Sequence, residues 1–243
     1  MTSKKLKIGI FNFASCEGCI VEILNLEEKL LDLLRYIDIV ESRVLGIKGN
    51  EQIDVALVEG CITCEEEREK LEEIRNKSKI VVALGDCACS GGKFLFKDFS
   101  LEETKLNLPP GKEAYRADAI DKYIKVDYYL RGCPINNQEF VELIKDILLL
   151  KQFREKPYSV CSECILYEKD CLIDKGYPCL GPITKGGCNA LCPSNNKPCY
   201  GCRGLYEDAN IDGLIEIFRK RGIEVPEYLN ELKNMIKRGE KCE

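Results

Sequence analysis

The sequence Ile53-Asp-Val-Ala-Leu-Val58 runs directly into Glu59-Gly60-Cys61-Ile62-Thr63-Cys64. A short, nearly continuous apolar run of this kind is typical of a strand that is buried on both faces of a parallel sheet. The glycine and the cysteines that follow it are expected to form a loop at the carboxyl end of that strand. This stretch therefore predicts an α/β fold with a cysteine-bearing edge.

Similar strand patterns occur on both sides of this stretch. They predict further strands at Lys7–Phe13, Ile37–Val44, Lys79–Leu84 and Val126–Leu130. One helix is predicted after the first strand, with apolar positions at Ile20, Ile23, Leu24, Leu30, Leu31 and Leu34. Glu65–Lys77 is predicted to be an exposed helix, and another helix is expected to begin near Asn136 or Asn137. This alternation predicts a flavodoxin-like, doubly wound parallel sheet.

Cysteines follow four of the five predicted strands, in loops that also contain glycine. Because the carboxyl ends of parallel strands lie at one edge of a sheet, these loops are expected to meet there. The cysteines expected to converge are Cys16, Cys19, Cys87 and Cys133. A single buried structural cysteine is common, but four at matching strand ends favour a shared binding site. Nearby glycines allow backbone N–H groups to approach a bound group closely.

A second group of cysteines is concentrated in residues 161–202. The spacing is Cys161-x2-Cys164-x6-Cys171-x7-Cys179, followed by Cys188-x3-Cys192-x6-Cys199-x2-Cys202. Apolar residues here are few and scattered, so the segment is expected to lack a core and to be held together by a bound metal. Thiolates in fours suit either zinc or iron–sulfur clusters, and this pattern alone leaves both open. A disulfide scaffold is disfavoured because no signal peptide precedes the segment.

The composition limits the possible chemistry. The chain has 243 residues, 16 cysteines, no histidine and a net charge of −5. Without histidine there is no imidazole ligand and no Ser-His or Cys-His catalytic pair. The negative charge argues against general nucleic-acid binding. No apolar run is long enough to span a membrane, and a cytoplasmic, reducing location is expected.

Several motifs carry a resemblance to a known family. In chain order they are Cys16-Glu-Gly-Cys19, Glu59-Gly60, Gly85-Asp86-Cys87-Ala88 with Gly91-Gly92, Lys125-Val-Asp127-Tyr with Gly132-Cys133-Pro134, Cys179-Leu-Gly181-Pro182-Ile-Thr184 and Pro198-Cys199-Tyr-Gly201-Cys202. With these motifs the chain resembles the small, electron-transferring subunit of nickel–iron hydrogenases. It looks most like the cytoplasmic branch that includes archaeal sulfhydrogenases and the hydrogenases coupled to heterodisulfide reductase.

The resemblance implies three 4Fe-4S clusters and no catalytic residue in this chain. The proximal cluster would be bound by Cys16, Cys19, Cys87 and Cys133. The distal cluster would be bound by Cys161, Cys164, Cys171 and Cys179, and the medial one by Cys188, Cys192, Cys199 and Cys202. The nickel–iron centre would lie in a separate large subunit. Electrons would pass from the proximal through the medial to the distal cluster, and then to a flavin or iron–sulfur partner subunit.

Three further cysteines, Cys61, Cys64 and Cys89, have no role in the family pattern. They are interpreted as free thiols, with an additional metal site as the alternative. Glu17 and Glu59 are expected beside the proximal site, with a surface salt bridge as the alternative for each.

The predicted domains are residues 1–156 and a smaller, irregular iron–sulfur domain at residues 157–243. The second domain is expected to end in two helices within residues 210–239. In the first of these, Leu214, Ile217 and Phe218 are expected to face inward, and Pro226 is expected to open the second. Two alternative functions remain at this stage: a zinc-stabilised interaction module, and the small subunit of a hydrogenase-like complex that lacks nickel.

Overall fold

The structure, a computed structural model, describes residues 5–49, 51–92, 117–226 and 229. The chain divides into two units, Met1–Phe153 and Arg154–Glu243. In the first unit, the strands are β1 (Leu6–Asn12), β2 (Ile37–Ser42), β3 (Ile53–Glu59), β4 (Ser78–Leu84) and β5 (Tyr128–Leu130). They pair in parallel in the order β2-β1-β3-β4-β5, which is the flavodoxin-like order. The predicted fold class is confirmed.

Helices cover both faces of this sheet. They are α1 (Gly18–Leu24), α2 (Glu28–Leu33), α3 (Glu65–Lys77), α4 (Gly85–Ser90) and α5 (Asn137–Leu148). Successive residues of β3 point to opposite faces. Val55 and Leu57 belong to the core that includes α1 and α5 side chains, whereas Ala56 and Val58 belong to the core on the α3 side. The nearly continuous apolar run of β3 is explained by this burial on both sides.

The expected single helix after β1 is wrong. Two short helices, α1 and α2, replace it, and Glu27 between them has a positive φ of 53° with ψ of −121°. Such a residue cannot continue an α-helix. Because α2 begins separately after Glu27, its buried face does not continue the buried face of α1. Leu33 is therefore buried, whereas Leu31 is 66% exposed.

The start of α5 agrees with the sequence prediction. The Asn136 side-chain oxygen accepts hydrogen bonds from the backbone N–H groups of Gln138 at 2.8 Å and Glu139 at 3.1 Å. This is the N-cap arrangement that asparagine favours, and it satisfies two donors of the first turn.

The described residues of the second unit, 154–226 and 229, contain little regular structure. Their α-helices are α6 (Val160–Cys164), α7 (Leu191–Ser194) and α8 (Ile211–Lys220). The expectation that residues 161–202 lack a core is wrong, because apolar side chains of this segment pack with one face of α8. Members of this core include Val160, Leu172, Leu180, Ile183, Ala190, Leu214, Ile215 and Phe218.

Two details of the predicted carboxyl-terminal helices can be compared with the structure. Ile217 was expected to face inward but is 42% exposed, and Ile215 occupies the buried position instead. The helix predicted from Pro226 onward lies almost entirely outside the described residues. In the part of the chain that the structure describes, no helix has the length and apolar character needed to cross a membrane.

We predict that Leu143→Ala, in the core under α5, lowers the free energy of unfolding of the first unit by about 2–5 kcal/mol. Leu143 is 0% exposed, so truncation leaves a cavity. The matched control is Leu31→Ala, which removes the same atoms from an exposed position and should cost less than about 0.5 kcal/mol. Urea denaturation of the full chain under anaerobic conditions measures both. Equal losses would contradict the assignment of Leu31 to the surface.

Candidate metal-binding sites

Four strands of the first unit end in the same row of the sheet. The pairing register places Asn12 of β1 beside Glu59 of β3, Glu59 beside Leu84 of β4, and Leu84 beside Leu130 of β5. Each of the four chain segments that leave this row contains a cysteine within the next few residues. The parallel register therefore brings cysteines that are distant in sequence to one edge of the sheet.

Backbone hydrogen bonds also connect the segments that follow these strand ends. Cys61 N–H donates to the Ala14 carbonyl at 3.0 Å, and Ala14 N–H donates to the Cys61 carbonyl at 3.3 Å. Asp86 N–H donates to the Gly132 carbonyl at 2.8 Å. The segments after β1 and β3 are thus tied to each other, as are those after β4 and β5.

The four cysteines predicted for the proximal site lie in these segments. Cys19 is in the first turn of α1 and Cys87 is in α4, so neither lies in a loop as expected. The pKa of the Cys87 thiol is raised to about 12, chiefly by burial and to a smaller extent by negative charge on Cys61, Asp86, Cys133 and Cys16. Burial likewise raises the pKa of Cys19, with a smaller contribution from Cys133. The strand register and the Asp86–Gly132 hydrogen bond place the segments that carry Cys16, Cys19, Cys87 and Cys133 at one edge of the sheet.

Gly85 leaves space beside this group. Its φ of 81° is left-handed, and a Cβ at this position would collide with the Cys19 Sγ. A residue with a side chain is therefore excluded next to the thiol on both conformational and steric grounds.

Glu59 holds the cysteine-bearing end of α1. It is 2% exposed, and its two carboxylate oxygens accept hydrogen bonds from the backbone N–H groups of Cys19 and Ile20, each at 3.1 Å. Burial raises the pKa of Glu59, although these hydrogen bonds lower it. Glu17, in contrast, is half-exposed, accepts a hydrogen bond from Asn12 Nδ2 and forms an ion pair with Arg43.

The three additional cysteines are placed differently. Cys61 is buried and its Sγ donates to the Ala14 carbonyl at 3.3 Å. Cys89 is also buried, with its Sγ 3.5 Å from the Ala83 carbonyl, in the core on the α3 side. Cys64 is the half-buried N-cap residue of α3. Within the described ranges, no three histidine, cysteine, aspartate or glutamate side chains are grouped as ligands of a single metal ion.

In the second unit, the predicted distal ligands are Cys161, Cys164, Cys171 and Cys179. The pKa of the Cys161 thiol is raised to about 12, chiefly by burial and to a smaller extent by negative charge on Cys179, Cys164, Cys171 and Cys199. Gly181 lies against this group, because a Cβ there would be 3.2 Å from the Cys161 Sγ and 3.6 Å from the Cys179 Sγ. A glycine thus again leaves room beside the thiols.

Of the predicted medial ligands Cys188, Cys192, Cys199 and Cys202, Cys199 contacts that group. Cys199 is buried, and its N–H donates to the Cys179 Sγ at 3.2 Å. Burial raises the pKa of Cys199 to about 12, with smaller contributions from Cys179 and Cys188. One backbone hydrogen bond therefore connects a predicted distal ligand with a predicted medial ligand.

Sequence reasoning missed two buried charged residues in this unit, Glu163 and Arg203. Glu163 accepts hydrogen bonds from the backbone N–H groups of Gly187 and Ala190, on both sides of Cys188. The Arg203 Nε donates to the Gly186 carbonyl at 2.7 Å. The sequence signal that could have identified them is their position beside predicted ligands: Glu163 lies inside Cys161-x2-Cys164, and Arg203 directly follows Cys202.

Comparison with known proteins places these features in a family context. The family model for the NADH ubiquinone oxidoreductase, 20 Kd subunit, matches residues 16–147. This range includes all four cysteines that follow the sheet edge and were predicted for the proximal site.

Similar proteins extend over most of the chain. Sulfhydrogenase 2 subunit delta from Pyrococcus furiosus is 38% identical over 220 residues, covering 88% of this chain and 93% of the relative. The iron-sulfur subunit of the F420-non-reducing hydrogenase from Archaeoglobus profundus is 27% identical, covering 86% and 85%. A chain of the Dm. baculatum [NiFeSe]-hydrogenase superimposes with a TM-score of 0.60 at 18% identity, covering 89% of this chain and 99% of that chain. This last similarity supports the fold alone.

We predict that Glu59→Gln lowers the free energy of unfolding by about 1–3 kcal/mol, because an amide retains one acceptor and turns its NH2 group toward the second buried N–H. Glu17→Gln is the control and should cost less than about 1 kcal/mol, as expected for an exposed ion pair. Denaturation of the full chain measures both variants. A Glu59→Gln protein as stable as the control would contradict the buried hydrogen-bonding role of Glu59.

Proposed function

This chain belongs to the family of the NADH ubiquinone oxidoreductase 20 Kd subunit, and from this membership we propose that it is the iron–sulfur electron-transfer subunit of a nickel–iron hydrogenase complex. The observation that carries the proposal is the row of four strand ends, because it supports one shared site for Cys16, Cys19, Cys87 and Cys133. The names of the relatives, a sulfhydrogenase delta subunit and a hydrogenase iron-sulfur subunit, support the same function.

Three 4Fe-4S clusters are proposed as the cofactors of this chain. Cluster ligands are cysteine thiolates in fours, and the proposed sets are those named above as proximal, distal and medial. Gly85 and Gly181 each leave space where a side chain would meet a thiol. Cys192 completes four thiolates in the medial set, so a full cubane is proposed there.

When bound, the clusters would supply one-electron transfer between the complex's active site and an acceptor. The chain itself would orient the thiolates and limit their contact with water. The buried carboxylate of Glu59 fixes the α1 backbone at Cys19, and the core of the second unit surrounds Cys179 and Cys199. Such shells tune the properties of a bound metal centre.

The proposed partners follow from this role. A large subunit would carry the nickel–iron centre, and flavin or iron–sulfur subunits would accept the electrons. The domains are proposed at residues 1–156, with one cluster, and 157–243, with two. A reducing, cytoplasmic location is proposed, because cysteine thiols remain available there as cluster ligands.

We predict that the full chain, purified anaerobically, contains about twelve iron atoms and little zinc, because three sets of four thiolates are available. Cys161→Ala should lose about four of these atoms while the electron paramagnetic resonance signal of the proximal set remains. Iron determination and spectra of the dithionite-reduced protein test this. Stoichiometric zinc without iron would overturn the proposal and favour a zinc-stabilised module.

The control for this experiment is the double variant Cys61→Ser/Cys64→Ser. Its iron content and spectra should equal those of the unmodified chain, because the Cys61 thiol is engaged with the Ala14 carbonyl and neither residue belongs to the three sets. Loss of a defined amount of metal from this variant would instead identify an additional site at Cys61, Cys64 and Cys89.

A further inference from the structure

The segment that carries Cys188 has an unusual backbone conformation. Gly187, Asn189 and Ala190 all have positive φ, at 111°, 54° and 47°. Glycine adopts such values readily, but asparagine and especially alanine do so at an energetic cost. Ala190 is also fully buried. A strained conformation of this kind persists only when the surrounding structure holds it in place.

Glu163 and Arg203 hold this segment from two directions. Glu163, which is 8% exposed, accepts from Gly187 N–H at 2.6 Å through Oε1 and from Ala190 N–H at 2.9 Å through Oε2. Arg203, which is 1% exposed, donates from Nε to the Gly186 carbonyl. Hydrogen bonds to ionised groups are stronger than those between neutral partners. These three bonds therefore fix the backbone immediately before and after Cys188.

The two side chains also bring opposite charges to the Cys188 thiol. The Glu163 carboxylate is bonded to Gly187 N–H and Ala190 N–H, one and two positions from Cys188, and the Arg203 guanidinium is bonded to the Gly186 carbonyl, two positions before it. Charges in a buried environment interact more strongly than charges in water. Both charges therefore act directly at a proposed cluster ligand.

We infer that Glu163 and Arg203 are positioning residues that fix Cys188 and shift, in opposite directions, the reduction potential of the cluster bound by Cys188, Cys192, Cys199 and Cys202. This inference rests on the proposed function. Net charge and hydrogen bonding around a cluster set its potential. In a redox titration, dithionite donates one electron to the cluster, and no bond in the protein forms or breaks. The carboxylate opposes this added negative charge, whereas the guanidinium favours it.

The test uses the full chain in its native complex, titrated anaerobically and followed by electron paramagnetic resonance. Glu163→Gln should shift the midpoint of one cluster signal to a more positive potential and leave the other signals unchanged. Its iron content should equal that of the unmodified protein, because the glutamine oxygen can still accept one of the two N–H groups. A role limited to folding would not move the potential.

Variants at Arg203 test the shift in the opposite direction. Arg203→Gln removes the positive charge and should shift the same signal to a more negative potential. Arg203→Lys keeps the charge but loses the geometry of the guanidinium, so its shift should be smaller than that of Arg203→Gln. If one of the two positions yields no folded protein, the other decides the question by the direction of its shift.

The matched control is Glu168→Gln, which removes an exposed carboxylate five positions along the chain from Glu163 and should leave every midpoint unchanged. Three outcomes would each overturn the inference. The potentials could stay unchanged while the iron content is intact, both variants could shift the potential in the same direction, or variants at both positions could fail to fold. Failure of the proposed function is distinguishable, because the unmodified protein would then contain no iron and show no cluster signal.

Discussion

In the first unit, Asn12, Glu59, Leu84 and Leu130 stand side by side because four parallel strands are held in one register. A slip of any strand by one residue would exchange its two faces and displace the cysteine that follows it. The register of β5 has additional support, since this strand is only 3 residues long. The Asp127 carboxylate accepts from Val81 N–H at 2.8 Å and from Arg75 Nη1 at 2.6 Å. This contact ties the start of β5 to β4 and α3, and so fixes the approach of Cys133.

Both units use a buried glutamate in a similar way. Glu59 receives two backbone N–H groups at Cys19, and Glu163 receives two around Cys188. A buried carboxylate is costly unless it is hydrogen-bonded. Because each carboxylate takes two backbone donors, it is satisfied and at the same time makes the cysteine-bearing backbone rigid. Rigid ligand positions favour a cofactor that must change its charge with little movement of the protein.

Some features of the fold and of the cysteine sites could be predicted from the sequence, and others could not. The apolar run at Ile53 and the glycine–cysteine segments at strand ends are local patterns, so they predicted the sheet and its cysteine-bearing edge. The break between α1 and α2 was missed because no glycine or proline occurs between Leu24 and Glu28. The core of the second unit was missed because Leu172, Leu180 and Ile183 occur between cysteines without helical or strand periodicity. The burial of Arg203 depends on contacts with segments distant in the chain, which a local pattern does not contain.

The central claim is that three sets of four cysteines bind iron–sulfur clusters. Anomalous diffraction from anaerobic crystals of the full chain, recorded at the iron and zinc absorption edges, tests it most directly. The account predicts three separate groups of iron peaks, one at Cys16, Cys19, Cys87 and Cys133 and one at each of the two sets in residues 161–202. Single peaks that appear at the zinc edge alone, or iron bound at Cys61, Cys64 and Cys89 in place of the first set, would contradict it.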